Sequence, residues 1–313
     1  MALSSTAKSF KVFYILLLLF ALMLAAAFTG TAQSTEFVIV HLRIPRIIMS
    51  VFAGASLALC GAIFQSVFRN PVCDPYILGI SSGASIGAAL AFILGLDFYL
   101  FGVTSLALVT AFLTLLLMLG ISRFSNIKST YVMLLAGISL NFLMASILTL
   151  LMVLNHQEMQ KIIFWTMGSF ATVSYYDIYF YIPIFLVCIV FTFLLSKDLN
   201  IMQLGDMQAQ SLGVNVKRVI YITLFISSVL IAATVSICGV IGFIGLIIPH
   251  LARIIWGNNT RYLFTFSMIL GAIFMLVADT LARVLITNAE LPVGSITALV
   301  GAPYFIYMLV RKG

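Results

Sequence analysis

Ten apolar segments, joined for the most part by short connections, constrain this chain more than any other feature. They lie near residues 12–30, 47–68, 77–96, 100–120, 131–154, 178–195, 218–238, 241–255, 262–282 and 292–310. A helix that crosses a bilayer needs about 20 apolar residues, and most of these segments supply them. Hydrocarbon offers no partner to a backbone N–H or C=O, so a crossing segment satisfies both internally, as a helix. The expected fold is an all-α integral membrane protein with about ten transmembrane helices. The eighth segment is shorter than the others.

Composition removes the alternative of a water-soluble fold. Only 8% of residues are charged and 63% are hydrophobic, where soluble domains carry about 25% charged residues. A separate soluble domain needs roughly 100 residues or more, and no connection provides them. Residues 1–313 are therefore expected to form one transmembrane domain, with a cytoplasmic segment near 200–216. Lys8 and Lys11 precede an apolar run over 12–28. That run exceeds the roughly 7–15 residues of a signal-peptide core, so it is expected to remain as the first span.

The net charge of +7 does not imply nucleic acid, because the basic residues stand singly at segment ends instead of clustering on a face. They are topology signals. With the amino terminus in the cytoplasm, twelve Lys and Arg fall inside and four fall outside, namely Arg43, Arg46, Lys161 and Arg283. Reversal would invert that ratio, so the positive-inside rule puts both termini in the cytoplasm. Trp165, Tyr175, Tyr176 and Tyr179 gather at the expected outer border, and Trp256 and Tyr262 at the inner one. Such amphipathic rings prefer that depth.

Small residues recur at helical spacing: Ser50, Gly54 and Ala58 in the second segment, Gly79, Gly83 and Gly87 in the third. They allow close approach of helix backbones, and tight packing is a better reading of them than a ligand site. The four cysteines form no C-x-x-C pair and read as small hydrophobes. His41, His156 and His250 lie far apart. No P-loop, H-E-x-x-H or G-x-S-x-G pattern occurs. No catalytic residue, metal site or cofactor is expected. The segment interiors lack the Asp, Glu and His relays of proton-coupled carriers. A sodium-coupled carrier using backbone carbonyls is weakened by this and not removed.

Three places stand apart from the spans. Residues 155–176, expected outside, are long enough for a short surface helix. Residues 200–216, expected inside, contain LGDMQAQSLGV (204–214), where Leu204, Met207 and Ser211 share a helical stripe and Gly205 and Gly213 mark breaks. Two readings stand for it, a peripheral cap and a docking surface for a cytoplasmic partner. The third place is RIPR (43–46), two cations on the side where cations are rare. Pro45 suits a helix's first turn, and Arg43 and Arg46 share a face. Headgroup snorkelling is one reading. The other is an exposed cationic patch recruiting an acidic partner, which Arg283 could join, oriented by Asp279 four residues earlier.

These motifs carry a resemblance. RIPRIIMSVFAGASLALCGAIFQSVFRNPVCDPYILGISSGA (43–84), LLAGISLN (134–141), LGDMQAQSLGV, GFIGLIIPHLAR (242–253), ADTLAR (278–283) and ELPVGSITALVGAPYFIYML (290–309) occur in the order found in one family. The chain resembles the permeases of binding-protein-dependent ABC importers for iron–siderophore complexes, haem and cobalamin. Cys73 and Asp74 after Asn70-Pro71 vary the usual pattern mildly. The resemblance implies a multi-pass permease of the bacterial plasma (inner) membrane, working as a homodimer. Its path would follow the dimer axis, lined largely by the fifth and tenth helices. Two cytoplasmic ATP-binding cassette subunits would dock at residues 204–214, with Leu204, Gly205, Asp206, Ala209, Leu212 and Gly213 as coupling residues. Hydrolysis would thus belong to a separate subunit, and the chain itself would be no enzyme. An extracytoplasmic solute-binding protein would bring acidic residues to Arg43, Arg46 and Arg283. Ser129, Thr130 and Tyr131 resemble the cytoplasmic gate. The expected cargo is an iron chelate, siderophore or haem, moved by ATP-driven alternating access. Cobalamin or oxyanion import is the alternative, with an ion-gradient-driven carrier behind it.

Overall fold

The computed structural model describes residues 5–30, 35–124, 130–286 and 290–312. Among the described residues every regular element is helical. In chain order these are α1 (Ser5–Phe28), α2 (Glu36–Val67), α3 (Ile80–Ile93), α4 (Gly102–Phe124), α5 (Thr130–Leu154), α6 (Met159–Thr166), α7 (Tyr175–Leu194), α8 (Ser196–Met202), α9 (Asp206–Ser211), α10 (Val216–Cys238), α11 (Ile244–Trp256), α12 (Thr260–Val284) and α13 (Val293–Lys312). Six of them, α2, α4, α5, α7, α10 and α12, contain stretches long and apolar enough to cross a bilayer. The apolar stretches of α1, α3, α11 and α13 are shorter.

α2 is the axis of the bundle. It packs on α12, α11 and α10, while α3 pairs with α4. The small residues of the second segment make this possible. A Cβ at Gly54 would strike the Gly271 carbonyl of α12, and one at Gly61 would strike the Gly245 carbonyl of α11. Gly83 and Gly87 play the same part against Thr114 and Thr110 of α4. Gly79 does not. It adopts a left-handed φ of +82° ahead of α3, a conformation glycine enters without a Cβ penalty.

Three elements depart from their expected bounds: α1, which begins at Ser5 instead of near 12, α2 and α3. α2 begins eleven residues before the segment's expected start at Ile47, because Thr35 caps the Val38 N–H at 3.4 Å and Glu36 occupies the favourable first turn. It widens to a π turn over Ile39–Arg43, just before Pro45. Pro45 has no N–H for the carbonyl four residues back. α3 is only 14 residues long, since Pro75–Leu78 forms a separate 3₁₀ turn.

The polar groups at these breaks are satisfied by side chains from neighbouring helices. Asn141 of α5 donates through Nδ2 to the carbonyls of Tyr76 (3.1 Å) and Ile77 (3.2 Å), and accepts from Ser82 Oγ at 2.6 Å. The Tyr76 hydroxyl donates to the Ile241 carbonyl at 2.9 Å, joining this break to the one between α10 and α11. Deeper in, the buried Tyr181 hydroxyl lies 2.6 Å from Ser56 Oγ and 2.7 Å from Thr234 Oγ1. Unpaired, such groups would cost several kcal/mol in an apolar interior. All four cysteines are buried thiols.

Candidate functional site

Two clusters sit at opposite ends of α2. From Arg46 to Val67 the helix rises about 30 Å at 1.5 Å per residue, close to the thickness of a bilayer's hydrocarbon core.

At the first end, Arg43, Arg46 and Arg283 come together as expected, but not as an exposed patch. Their exposures are 5%, 6% and 6%. The expectation of surface cations fails because the chain supplies their partners itself. Asp279 of α12, fully buried, receives the Arg46 guanidinium twice through Nε at 2.9 and 3.1 Å, and Nη2 lies 2.9 Å from Oδ1. Glu290, on the segment entering α13, accepts from Arg46 Nη1 at 2.6 Å and keeps a half-exposed side chain. Arg283 stands 3.4 Å from Asp279 across one helical turn, so the i, i+4 pair exists as an ion pair at the long end of the range. The end of α1 completes the cluster. Its orphan carbonyls accept from the cations, as helix C-termini favour: Ala27 O from Arg43 Nη1 at 3.0 Å, Ala26 O from Arg283 Nη2 at 3.4 Å. Sequence spacing showed the Asp279–Arg283 pair. It gave no sign that Asp279 is chiefly the partner of Arg46, 233 positions away.

Nearby, α6 supplies the short helix expected within 155–176. Its Lys161 bridges Asp97 and Glu158, each at 2.9 Å, and hydrogen bonds to both carboxylates raise its pKa.

At the other end, the short helix expected in the 200–216 region is α9, and α8 precedes it from Ser196. Leu204 (65%), Met207 (84%) and Leu212 (61%) are exposed, so an apolar ridge faces away from the chain. Ala209 is buried and fastens α9 inward, and the Val214 N–H returns to its carbonyl at 2.9 Å. Gly205, at φ +123°, turns the chain from α8 into α9. Asp206 pairs with Arg69, just beyond the end of α2. That ion pair, invisible in the sequence pattern, ties the ridge to the central helix. Ser129 lies outside the described residues, while Thr130 and Tyr131 open α5.

His250, on α11, is buried at 3% exposure and belongs to the packing. Among the described residues no group of three or more His, Cys, Asp or Glu is placed to hold a metal ion.

Comparison with known proteins completes the picture. Residues 7–311 match the model of the FecCD transport family. The molybdate import system permease protein MolB of Haemophilus influenzae is 38% identical over 281 residues, covering 88% of this chain and 82% of its own. The hemin transport system permease protein HmuU of Yersinia pestis is 37% identical over 295 residues, covering 91% and 86%. Among solved structures, a metal-chelate type ABC transporter in an inward-facing conformation superposes with a TM-score of 0.89 at 35% identity, over 96% of this chain and 98% of that one. A central packed helix, a buried charge cluster at one end, an exposed apolar ridge at the other and these similarities agree: the chain is a multi-pass ABC-importer permease and belongs to the FecCD transport family.

Proposed function

We propose that this chain is the membrane half of an importer for an iron chelate, moved by alternating access with energy from ATP hydrolysed on partner subunits. The observation that carries this reading is the ridge of Leu204, Met207 and Leu212, apolar, exposed and tied by Asp206 to Arg69 at the end of α2. A nucleotide-driven partner seated on it pushes directly on the helix around which the bundle is packed. All ten apolar helices cross the membrane in this reading, both termini and α8–α9 are cytoplasmic, and residues 1–313 act as one domain.

Two copies form the working unit. α5 and α13 face the shared path, and their outward side chains support this: Phe142 is 73% exposed and Leu299 76%. Thr130 and Tyr131 open α5, where a cytoplasmic gate belongs, and Ser129, next to them in sequence, is assigned to the same gate.

The solute-binding protein docks at the arginine end. The three guanidinium groups are buried, so its carboxylates reach Arg46 by displacing Glu290, the half-exposed member of the cluster. Iron chelate is favoured as cargo by the metal-chelate type of the matched structure. The molybdate system of one relative makes an oxyanion the second reading.

The test has two arms. Cells relying on this chain should take up radiolabelled ferric siderophore, with molybdate and cobalamin failing to compete; molybdate uptake instead would move the cargo to the second reading. R43E/R46E should weaken docking of the cognate binding protein at least about ten-fold, the scale of losing charge pairs at an interface. Unchanged affinity at low salt would remove these arginines from docking.

A further inference from the structure

We infer that the cleft between the end of α7, α8 and the start of α12 is a binding site for the headgroup of an anionic phospholipid. This cleft of about 690 Å³ is within the range of about 300–1,000 Å³ usual for small-molecule sites. Lys197 and Arg261 line it from opposite elements, with Asn200 and Asn259 between them. No carboxylate lines it. Among the described residues neither cation takes part in an ion pair.

The helix geometry sharpens the argument. α12 is 25 residues long and has no acidic residue in its first turn, where Arg261 stands instead. The amino end of a helix carries partial positive charge and disfavours a cation. Asn259 Oδ1 already accepts from the Arg261 N–H at 3.2 Å, so the turn is capped and held in place. Asn200 Oδ1 accepts from the Thr260 N–H at 3.3 Å, which fixes α8 against this same end. Two cations and the amino end of α12 therefore converge on one mouth that no carboxylate lines. Asp198 is beside Lys197 in sequence but not among the lining residues.

The rest of the cleft distinguishes a lipid from a free anion. Val190 and Leu194, 56% and 68% exposed, continue the wall along α7 away from the charged mouth. Charge at one end and an apolar wall alongside match an amphiphile lying in the leaflet, its phosphate at the cations and its acyl chains along the helix. Basic pockets between helices at the membrane surface bind such headgroups. The inference rests on the membrane-spanning reading of α7 and α12 and is independent of cargo and of the ATPase.

The experiment uses the delipidated full chain in neutral detergent and native mass spectrometry, titrating dioleoyl phosphatidylglycerol, dioleoyl phosphatidylcholine and inorganic phosphate separately. The expected result is saturable binding of phosphatidylglycerol, little of phosphatidylcholine, and no competition from millimolar phosphate. K197Q/R261Q should weaken binding by about ten-fold or more, as expected for removing two lipid-facing cations. The charge-keeping K197R/R261K should retain it, which covers the case of misfolding in the neutral variant. K217Q, at an exposed cation outside the cleft, should bind as the parent does. Equal binding of both lipids, equal loss in K217Q, retained binding in K197Q/R261Q, or a disulfide between two copies carrying L194C would each overturn the proposal.

Discussion

α2 and α5 are both long and apolar enough to cross a bilayer, yet 83% of the most apolar stretch of α2 is buried within the chain, against 11% in α5. The difference lies in side-chain size. α2 presents Ser50, Gly54, Ala58 and Gly61 to its neighbours, so α12 and α11 close on its backbone. α5 points Leu135, Phe142, Leu143 and Leu150 outward, each more than half exposed. Lipid tails are as apolar as leucine, so helices associate in membranes through close packing and polar contacts. Apolarity marks both helices as avoiding water. The small-residue stripe alone shows which one is covered by its own chain.

The largest effect that can break this contrast is steric. G54L/G61L drives side chains into the carbonyls of Gly271 and Gly245 and should cost more than about 3 kcal/mol, at the upper end of overpacking penalties. Little folded protein should survive gel filtration, whereas F142L on the outer face of α5 should accumulate normally. If both behave alike, α2 is not the packed axis.

Next comes the buried charge. D279A leaves the Arg46 and Arg283 cations inside the bundle without their shared carboxylate, at a cost of about 3–5 kcal/mol. The melting temperature of the purified chain should fall sharply. E290Q, changing the half-exposed partner, should cost about 1 kcal/mol or less. The reverse order would mean that the cluster is solvated.

A smaller effect on stability, but a decisive one for the role of α5, concerns the second copy. F142C should give an oxidant-dependent disulfide dimer, while V187C on the outward face of α7 should not. At the ridge, L212A should leave expression unchanged and lower transport-coupled ATPase activity several-fold. G205A should do the same with an added strain of about 1–3 kcal/mol, because φ +123° with ψ 155° is a backbone conformation essentially confined to glycine. The smallest effect is chemical. Burial, with Asp74 beside it, pushes the Cys73 thiol up to about 12, so its thiolate is scarce at neutral pH. Maleimide labelling of the native chain should therefore be far slower than after denaturation, and an equal rate would place Cys73 at the surface.

Much of the helix layout was legible because bilayer energetics write it into local apolar runs. α6 and α9 followed from the polar stretches that hold them, and the turn at Gly205 from its reading as a break, whereas α8, starting at Ser196, was not marked off from the sixth segment. The failures at the charge cluster are long-range. Arg43, Arg46 and Arg283 looked exposed because sequence spacing cannot show Asp279 across the bundle or the carbonyls of Ala26 and Ala27 at the end of α1. Glu290 was part of a motif without a role until Arg46 was found 2.6 Å away. The early start of α2 was hidden by the polar residues before Ile47, where a cap and a π turn extend the helix beyond its apolar run.

The central claim is that this permease moves cargo only with energy from partner subunits. Reconstituting the chain in liposomes with and without its ATPase subunits and binding protein, then following entry of labelled ferric chelate, tests it most directly. Uptake should need all the components and ATP, and should vanish when the ATPase is omitted whatever the proton or sodium gradient. Accumulation by the chain alone down an imposed ion gradient would contradict the account.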